Sequence, residues 1–183
     1  MKKIGVIHGR FQPFHNDHLK YVLAGMEKVD FMFIGITNPD PSLTRTVMAD
    51  LNRATPAANP CTYYERLLMI EKSLQEAGIK RENFTIIPFP INIPELWQFY
   101  APQDATYFLS IYDEWGERKL GELLKHGLKT EVLWRKKIEE KGIDGSMVRH
   151  NIANDLPWEH LVPPAVAKII KDQGIEKRIK TTY

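Results

Sequence analysis

Two histidines, His15 and His18, stand three residues apart where the spacing of apolar residues predicts the start of a helix. This separation places both imidazoles on the same side of the first helical turn. Backbone N–H groups at that turn lack intrahelical partners and the helix dipole is positive there, so a phosphate is favoured. Arg10 adds a planar cation suited to phosphate oxygens, and Gly9 permits close approach to the backbone. Together these groups predict a cradle for a triphosphate with no protein nucleophile.

Two other interpretations of the histidine pair are less well supported by the surrounding residues. Histidines at this spacing are often simply structural, but a strand, a Gly-Arg pair, Pro13 and a helix start in that order are hard to explain as packing. A zinc site needs a third ligand, and the one cysteine, Cys61, lies far along the chain, so metal coordination by the pair is not expected. The dinucleotide fingerprint Gly-x-Gly-x-x-Gly is absent after the first strand, which argues against a dehydrogenase.

The elements that must position the pair are a strand over residues 3–8, a helix from about Asn16 capped by Asn16 or Asp17, and a strand over 31–37. Apolar periodicity then predicts further strands and helices in alternation. The strands are 84–89, 106–111 and 130–134; the helices are 62–77, a short one led by Pro94, 114–125, 146–154 and 164–173. The alternation predicts an α/β fold: a doubly wound, mainly parallel Rossmann-like sheet with C-terminal helices. Ligands of such sheets bind at the carboxyl ends of the strands, where the loop before His15 lies.

A long proline-rich loop at residues 38–61 interrupts this pattern, and its length predicts a lid or a substrate-contacting excursion. Arg45 and Arg53 within it are weaker candidates for phosphate contacts. At the other end of the chain, Lys177, Arg178 and Lys180 predict a frayed terminus.

Composition bounds the class of protein. A chain of 183 residues with 43% hydrophobic composition is long enough for one substantial core, so we expect a single domain over residues 1–183. Lys and Arg number 25 against 23 Asp and Glu, which gives no reason to expect a nucleic-acid partner. A single cysteine and a first segment that runs directly into a strand predict a cytoplasmic protein. No apolar run approaches the roughly 20 residues that span a bilayer, so no membrane partner is expected.

The loop and helix start carry a family resemblance. Gly9-Arg10-Phe11-Gln12-Pro13 followed by His15-Asn16-Asp17-His18 resembles the (H/T)xGH nucleotidyltransferase superfamily, and most closely its archaeal-type nicotinamide mononucleotide adenylyltransferases. Further segments resemble the family's motifs in order: Thr62-Tyr63-Tyr64-Glu65-Arg66, Pro90-Ile91-Asn92 with Trp97 downstream, Ile143-Asp144-Gly145-Ser146-Met147-Val148-Arg149, and Pro157-Trp158-Glu159-His160-Leu161-Val162-Pro163.

The resemblance implies attack of an acceptor phosphate on the α-phosphorus of ATP with release of pyrophosphate, forming NAD from nicotinamide mononucleotide or nicotinate mononucleotide. It implies that His15 and His18 hold the triphosphate while Arg10 and Arg149 grip phosphate oxygens, with Ser146 as the cap of the helix that carries Arg149. The implied nucleotide-binding set is Gly9, Arg10, Phe11, His18, Ser146 and Arg149. Magnesium is expected to accompany the triphosphate. The family's symmetric assemblies imply a homo-oligomer.

The acceptor is where the resemblance leaves alternatives. Trp97 is expected to stack on nicotinamide, with Asn92 holding the carboxamide, although a core tryptophan is the competing interpretation. Asp17 replaces the glycine that usually precedes the second histidine, so it either turns outward as a cap or alters the phosphate geometry. Asp144 replaces a serine and is a candidate for binding magnesium or a substrate donor. These departures keep two alternatives open: a related cytidylyltransferase that uses CTP and a phosphonate or other small phosphate acceptor, and a non-catalytic nucleotide-binding protein.

Overall fold

A computed structural model of the chain describes residues 2–43 and 55–182. Five parallel strands form one sheet in the order β3-β2-β1-β4-β5. The strands are β1 (Ile4–Gly9), β2 (Phe31–Ile36), β3 (Phe84–Pro88), β4 (Thr106–Ile111) and β5 (Lys129–Arg135). The chain runs outward from β1 to β3 and then returns to β4 on the other side of β1. The carboxyl ends of β1 and β4 therefore flank the crevice in which doubly wound sheets bind their ligands.

Six α-helices and a short 3-10 helix over Pro94–Phe99 cover the two faces of this sheet within the described part of the chain. The α-helices are α1 (Asn16–Met26), α2 (Tyr63–Glu76), α3 (Glu114–Lys125), α4 (Gly145–Ala153), α5 (Pro164–Asp172) and α6 (Ile175–Thr182). The predicted fold class is confirmed, and the predicted elements match these bounds to within one or two residues except at the C-terminus.

Alternate residues of each strand feed two separate cores, because successive side chains of a strand point to opposite faces. Ile7 and Phe108 pack with α1, α2 and the C-terminal helices in the larger cluster. Val6 and Tyr107, their sequence neighbours, pack on the other face with Leu123 of α3. Both faces are buried, which explains why the strands are nearly continuous apolar runs.

The C-terminus forms an ordered helix, so the predicted frayed terminus is wrong. Ile175 and Ile179, one helical turn apart, are buried in the larger core. On the same helix, Arg178 donates from both Nη atoms to the Glu65 carboxylate, at 2.8 and 3.0 Å. Glu65 also accepts the Thr62 N–H in a capping box that starts α2. The basic residues that suggested fraying belong to an amphipathic helix whose other side is apolar.

The proline-rich loop is described only at its two ends, by a 3-10 turn at Pro41–Leu43 and by residues 55–61. Arg45, Arg53 and the central part of the predicted lid lie outside the described residues. In the part of the chain that the structure describes, no helix is long and apolar enough to cross a membrane.

Candidate active site

A cavity of about 420 Å³ opens at the carboxyl ends of the strands, as the fold class predicts. Its lining combines the loop between β1 and α1, the start of α3, and the segment that leads into α4. Most of the predicted site residues meet here: Gly9, Arg10, Phe11, Asn92, His15, His18, Ser146 and Arg149. Trp97 is the predicted site residue that does not line it.

The two histidines lie against each other at the first turn of α1. Their ring centroids are 3.5 Å apart with the planes inclined by 24°. His15 is the N-cap residue: its Nδ1 accepts the backbone N–H of His18 at 3.3 Å. The prediction that Asn16 or Asp17 caps the helix is therefore wrong. Because Nδ1 of His15 accepts, the neutral ring carries its proton on Nε2, which leaves an N–H to donate to a ligand.

The pKa values of both imidazoles are depressed, which favours the uncharged rings. Burial is the main cause, and it lowers the pKa of His15 to about 3. Burial also lowers the pKa of His18 well below its usual value, with smaller contributions from His15, Lys141 and Arg10. A triphosphate placed beside the rings would oppose this shift, because a nearby negative charge favours the protonated form.

Asp17 and its neighbour Asn16 tie α1 to distant parts of the chain. The Asp17 carboxylate accepts the backbone N–H of Ile143 at 2.8 Å, and the Asn16 amide donates to the carbonyl oxygen of His160 at 2.9 Å. Asp17 lines the cavity, but one of its oxygens is occupied by the segment that precedes α4. Its structural role is thus to hold that segment against α1, where glycine would provide no such contact.

The start of α4 packs directly on the loop that precedes α1, and the contact point is the carbonyl oxygen of Gln12. Nη1 of Arg149 donates to this oxygen at 2.5 Å, and its Nη2 donates to Oγ of Ser146 at 3.2 Å. A side chain at Gly145 would place its Cβ 2.6 Å from the same oxygen, so only glycine allows the contact. Arg149 is only 5% exposed and lines the cavity, which makes it a fixed cation at the wall.

Asp144, rather than Ser146, caps α4. Its Oδ1 accepts the backbone N–H of Met147 at 2.9 Å, and its other oxygen lies 4.0 Å from Nζ of Lys141. The predicted cap at Ser146 is wrong because the helix begins at Gly145, one residue earlier than the sequence pattern indicated. Within residues 2–43 and 55–182, no three His, Cys, Asp or Glu side chains are grouped as metal ligands.

Gly9 and Phe11 contribute to the site through packing. A Cβ added at Gly9 would lie 2.6 Å from the ring of Phe11, so the space above this glycine is filled by the protein's own side chain. The Phe11 ring is fully buried and lies edge-on to the ring of His18, with centroids 4.9 Å apart. Phe11 therefore supports His18 with its ring, and only its backbone remains for contact with a nucleotide.

Arg66 organises the loops that border the cavity, a role that its place in a motif did not reveal. The side chain is 1% exposed. It donates to the carbonyl oxygens of Arg10 at 3.0 Å, Thr37 at 2.8 Å and Asn38 at 2.9 Å. These carbonyls belong to the segments that follow β1 and β2. A single buried guanidinium thus joins the two strand ends to α2. Burial lowers the pKa of Arg66 to about 10, so the side chain is still charged at neutral pH.

Gln12 makes a second such connection to the end of the proline-rich loop. Its side-chain amide donates to the carbonyl oxygen of Cys61 and accepts the Cys61 N–H, both at 2.8 Å. Burial raises the pKa of the Cys61 thiol to about 12, so the thiolate is not formed at neutral pH. Sequence reasoning treated Gln12 only as part of a motif, and the pairing with Cys61 is invisible before the chain is folded.

Trp97 is a core residue in this structure. Its ring is 2% exposed, stacks on Phe89 with centroids 5.9 Å apart, and donates from Nε1 to the Pro90 carbonyl. Both the apolar surface and the polar atom are used within the protein, so no ring face is left for nicotinamide. The competing interpretation of Trp97 as a core residue is the one that the structure supports. Asn92 does line the cavity.

The cavity also has walls that carry none of the predicted site residues. On the side of β4 and β5, Tyr112, Trp115 and Trp134 line it, and Nε1 of Trp134 donates to the Tyr112 hydroxyl at 2.7 Å. Lys119 of α3 lies over the Trp115 ring, 3.9 Å from its centroid. At the end of β1, His8 lines the cavity although the pattern treated it as part of an apolar strand. A polar residue closing such a strand was the available signal.

Comparison with known proteins identifies the family. Residues 6–151 match the Cytidylyltransferase-like family, and the chain belongs to it. It is 52% identical over 176 residues to the phosphonoformate cytidylyltransferase of Streptomyces viridochromogenes, covering 96% of this chain and 95% of that protein. It is 30% identical over 182 residues to the nicotinamide-nucleotide adenylyltransferase of Thermococcus onnurineus, covering 97% and 87%. The predicted resemblance is confirmed, and the chain is an enzyme of the nucleotidyltransferase class.

A solved structure agrees in fold. The crystal structure of a bifunctional NMN adenylyltransferase/ADP ribose pyrophosphatase from Francisella tularensis superimposes with a TM-score of 0.67 at 16% identity. The superposition covers 99% of this chain, and the chain spans about half, 52%, of that bifunctional protein. At this identity the likeness shows the Rossmann-like fold.

Proposed function

We propose that this enzyme transfers a cytidylyl group from CTP to a small phosphonate acceptor and releases pyrophosphate. The observation that carries the proposal is the 52% identity to a phosphonoformate cytidylyltransferase along nearly the whole of both chains. The adenylyltransferase relatives that favour the NAD-forming alternative are near 30% identical. The proposed reaction is therefore the alternative that the sequence left open, rather than the formation of NAD.

The proposed reaction is an in-line displacement at phosphorus. A phosphonate oxygen of the acceptor forms a bond to the α-phosphorus of CTP, the bond from that phosphorus to the bridging oxygen breaks, and pyrophosphate leaves with the electron pair. No proton transfer is needed when the phosphonate is ionised. Such chemistry depends on positioning and charge neutralisation, for which the site offers donors and cations without a nucleophile.

Each wall of the cavity has a part in this proposal. His15, with its Nε2–H, and His18 face the triphosphate at the positive end of α1, where developing charge on the leaving group is stabilised. Arg149 is fixed by Gln12 and Ser146 at a wall of the same cavity and supplies a cation that needs no reorganisation. Arg10 adds a second guanidinium. Tyr112 and Trp134 offer flat faces for the base, whereas one face of the Trp115 ring is covered by Lys119.

Magnesium enters the proposal as a partner of the triphosphate. Magnesium retains several waters and is commonly held by substrate phosphates with one or two carboxylates, so a dedicated protein cage is not required. Asp17 and Asp144 line the cavity, and each has one oxygen held by a backbone N–H and one further oxygen. Bound there, the metal would neutralise charge on the phosphate oxygens.

The buried Trp97 bears on the acceptor. Nicotinamide mononucleotide presents a flat ring that needs a stacking partner, and the tryptophan expected to provide it is packed against Phe89. A phosphonate with a carboxylate has no ring, so it requires only charged and hydrogen-bonding partners. The burial of Trp97 therefore removes the support that this residue was expected to give to a mononucleotide acceptor.

Pyrophosphate release tests the proposal. Purified protein with magnesium is given CTP or ATP together with phosphonoformate, nicotinamide mononucleotide or nicotinate mononucleotide. We expect release with CTP and phosphonoformate well above every other pairing. Release only with ATP and a mononucleotide would reinstate the NAD-forming hypothesis, and no release from any pairing would refute both reactions.

A further inference from the structure

His8 is a buried histidine with unused hydrogen-bonding groups. It is the next-to-last residue of β1, lines the cavity, is 3% exposed, and packs against the Phe89 ring with centroids 5.5 Å apart. Neither Nδ1 nor Nε2 has a hydrogen-bond partner among the described residues. A buried polar group without a partner costs roughly 1–3 kcal/mol, so an imidazole is a poor choice for mere packing at this position. The apolar residues that precede it in β1 show what packing alone would select.

His8 also lies on a different face of the sheet from the histidine pair. It follows Val6 by two residues, so its side chain points to the face covered by α3. His15 and His18 begin α1, which packs through Val22 on the opposite core. The triphosphate donors and His8 thus approach the cavity from two sides, and His8 occupies the side away from the triphosphate cradle.

Lys119 provides the charge on that side. It lies on α3, lines the same cavity, and stands over the Trp115 ring. Burial lowers the pKa of His8 well below its ordinary value, and the positive charge of Lys119 lowers it further. His8 is therefore a neutral donor within the electrostatic influence of a cation. A neutral N–H and an ammonium group are both hydrogen-bond donors, and together they favour an anionic oxygen over a neutral one.

We propose that His8 and Lys119 bind the carboxylate of the acceptor and so select phosphonates that carry a second acidic group. This inference rests on the proposed function, since it names the acceptor class of the same site. In it, the phosphonate group points toward the α-phosphorus and the carboxylate points toward α3. The carboxylate supplies the hydrogen bond that His8 lacks.

Calorimetric titration compares phosphonoformate with methylphosphonate, which keeps the phosphonate and lacks the carboxylate. The wild-type protein should bind phosphonoformate at least about tenfold more tightly, as expected for one charge-assisted hydrogen bond. His8→Val and Lys119→Met should lower this affinity to near that of methylphosphonate, while the affinity for CTP stays within about twofold, which corresponds to well under 1 kcal/mol. His8→Asn, which keeps a donor, should retain part of the preference.

Matched controls are His160→Ala and Lys125→Met, since both residues are exposed and outside the cavity. Both should behave as wild type. Equal binding of the two phosphonates by the wild-type protein, or unchanged phosphonoformate binding in His8→Val, would overturn the inference. The two proposals can fail separately. If His8 is needed for carboxylate-dependent binding but CTP yields no pyrophosphate, the proposed reaction alone is refuted. If CTP and phosphonoformate react and His8→Val turns over as fast as the wild type, the acceptor site alone is refuted.

Discussion

Replacing Arg66 by methionine tests whether one buried guanidinium holds the cavity together. Methionine keeps much of the aliphatic volume and removes every donor. The side chain is 1% exposed and makes hydrogen bonds of 3.0 Å or less to carbonyl oxygens of Thr37 and Asn38, after β2, and Arg10, after β1. Hydrogen bonds from a charged group contribute about 1.5–3 kcal/mol each, so three at the lower bound give about 4.5 kcal/mol.

Urea denaturation followed by tryptophan fluorescence measures this loss, with Arg135→Met as the control. Arg135 is an exposed residue paired with Glu117, and such pairs contribute at most about 1 kcal/mol. We expect the free energy of unfolding to fall by about 4.5 kcal/mol in Arg66→Met and to change little in the control. An Arg66→Met protein within 1 kcal/mol of wild type would refute the assigned role, as 1 kcal/mol is less than the contribution of a single such bond.

Three further predictions concern the site. His18→Ala should lower turnover by at least about a hundredfold, the scale for losing one transition-state donor; steady-state kinetics within a few-fold of wild type would remove His18 from the mechanism. In the folded protein the pKa of His15 is depressed to about 3. As the pH drops below about 6.5, the unfolded chain therefore takes up a proton at His15 before the folded protein does. The free energy of unfolding falls as a result between about pH 6.5 and pH 3. His15→Asn keeps an oxygen that can cap the helix but removes the titrating ring. In urea denaturation at several pH values, this variant should reduce the slope of unfolding free energy against pH by up to about 1.4 kcal/mol per pH unit. A slope equal to that of the wild type would contradict the assigned pKa. Trp97→Ala should destabilise the fold by about 3–5 kcal/mol, and a rise in the acceptor KM without loss of stability would restore Trp97 to the acceptor site.

The strands and helices were predictable because their signals are local. Short apolar runs predicted the strands, and apolar residues at helical spacing predicted the helices. Gly9 and Pro94 marked places where one element ends or another begins, so the bounds of most elements followed. The same spacing put Ile175 and Ile179 on one face of a helix, but the lysines around them suggested a frayed end. That error shows that basic composition is weaker than apolar periodicity as a guide to order.

The sequence predicted which segments form the site, but not the hydrogen bonds that join them. The position of His15 and His18 at the start of a helix followed from the pattern, whereas the use of His15 as the cap depends on a rotamer that no pattern reveals. Gln12 and Arg66 act through carbonyl oxygens that are distant in sequence, so their roles appear only when the chain is folded.

The spacing of residues along the chain also does not predict how far a side chain is exposed. A tryptophan after a Pro-Ile-Asn segment fits either a stacking platform or a core, and only the packing of Trp97 against Phe89 distinguishes them. His8 presents the reverse case, because its place in an apolar strand concealed a polar group at the cavity wall.

A competition reaction tests the central claim most directly. The enzyme is mixed with magnesium, equal concentrations of CTP and ATP, and equal concentrations of phosphonoformate and nicotinamide mononucleotide, and the products are identified by mass spectrometry. The proposed function predicts that the mixed anhydride of CMP and phosphonoformate is the main product, formed with an equal amount of pyrophosphate. NAD as the main product would contradict it.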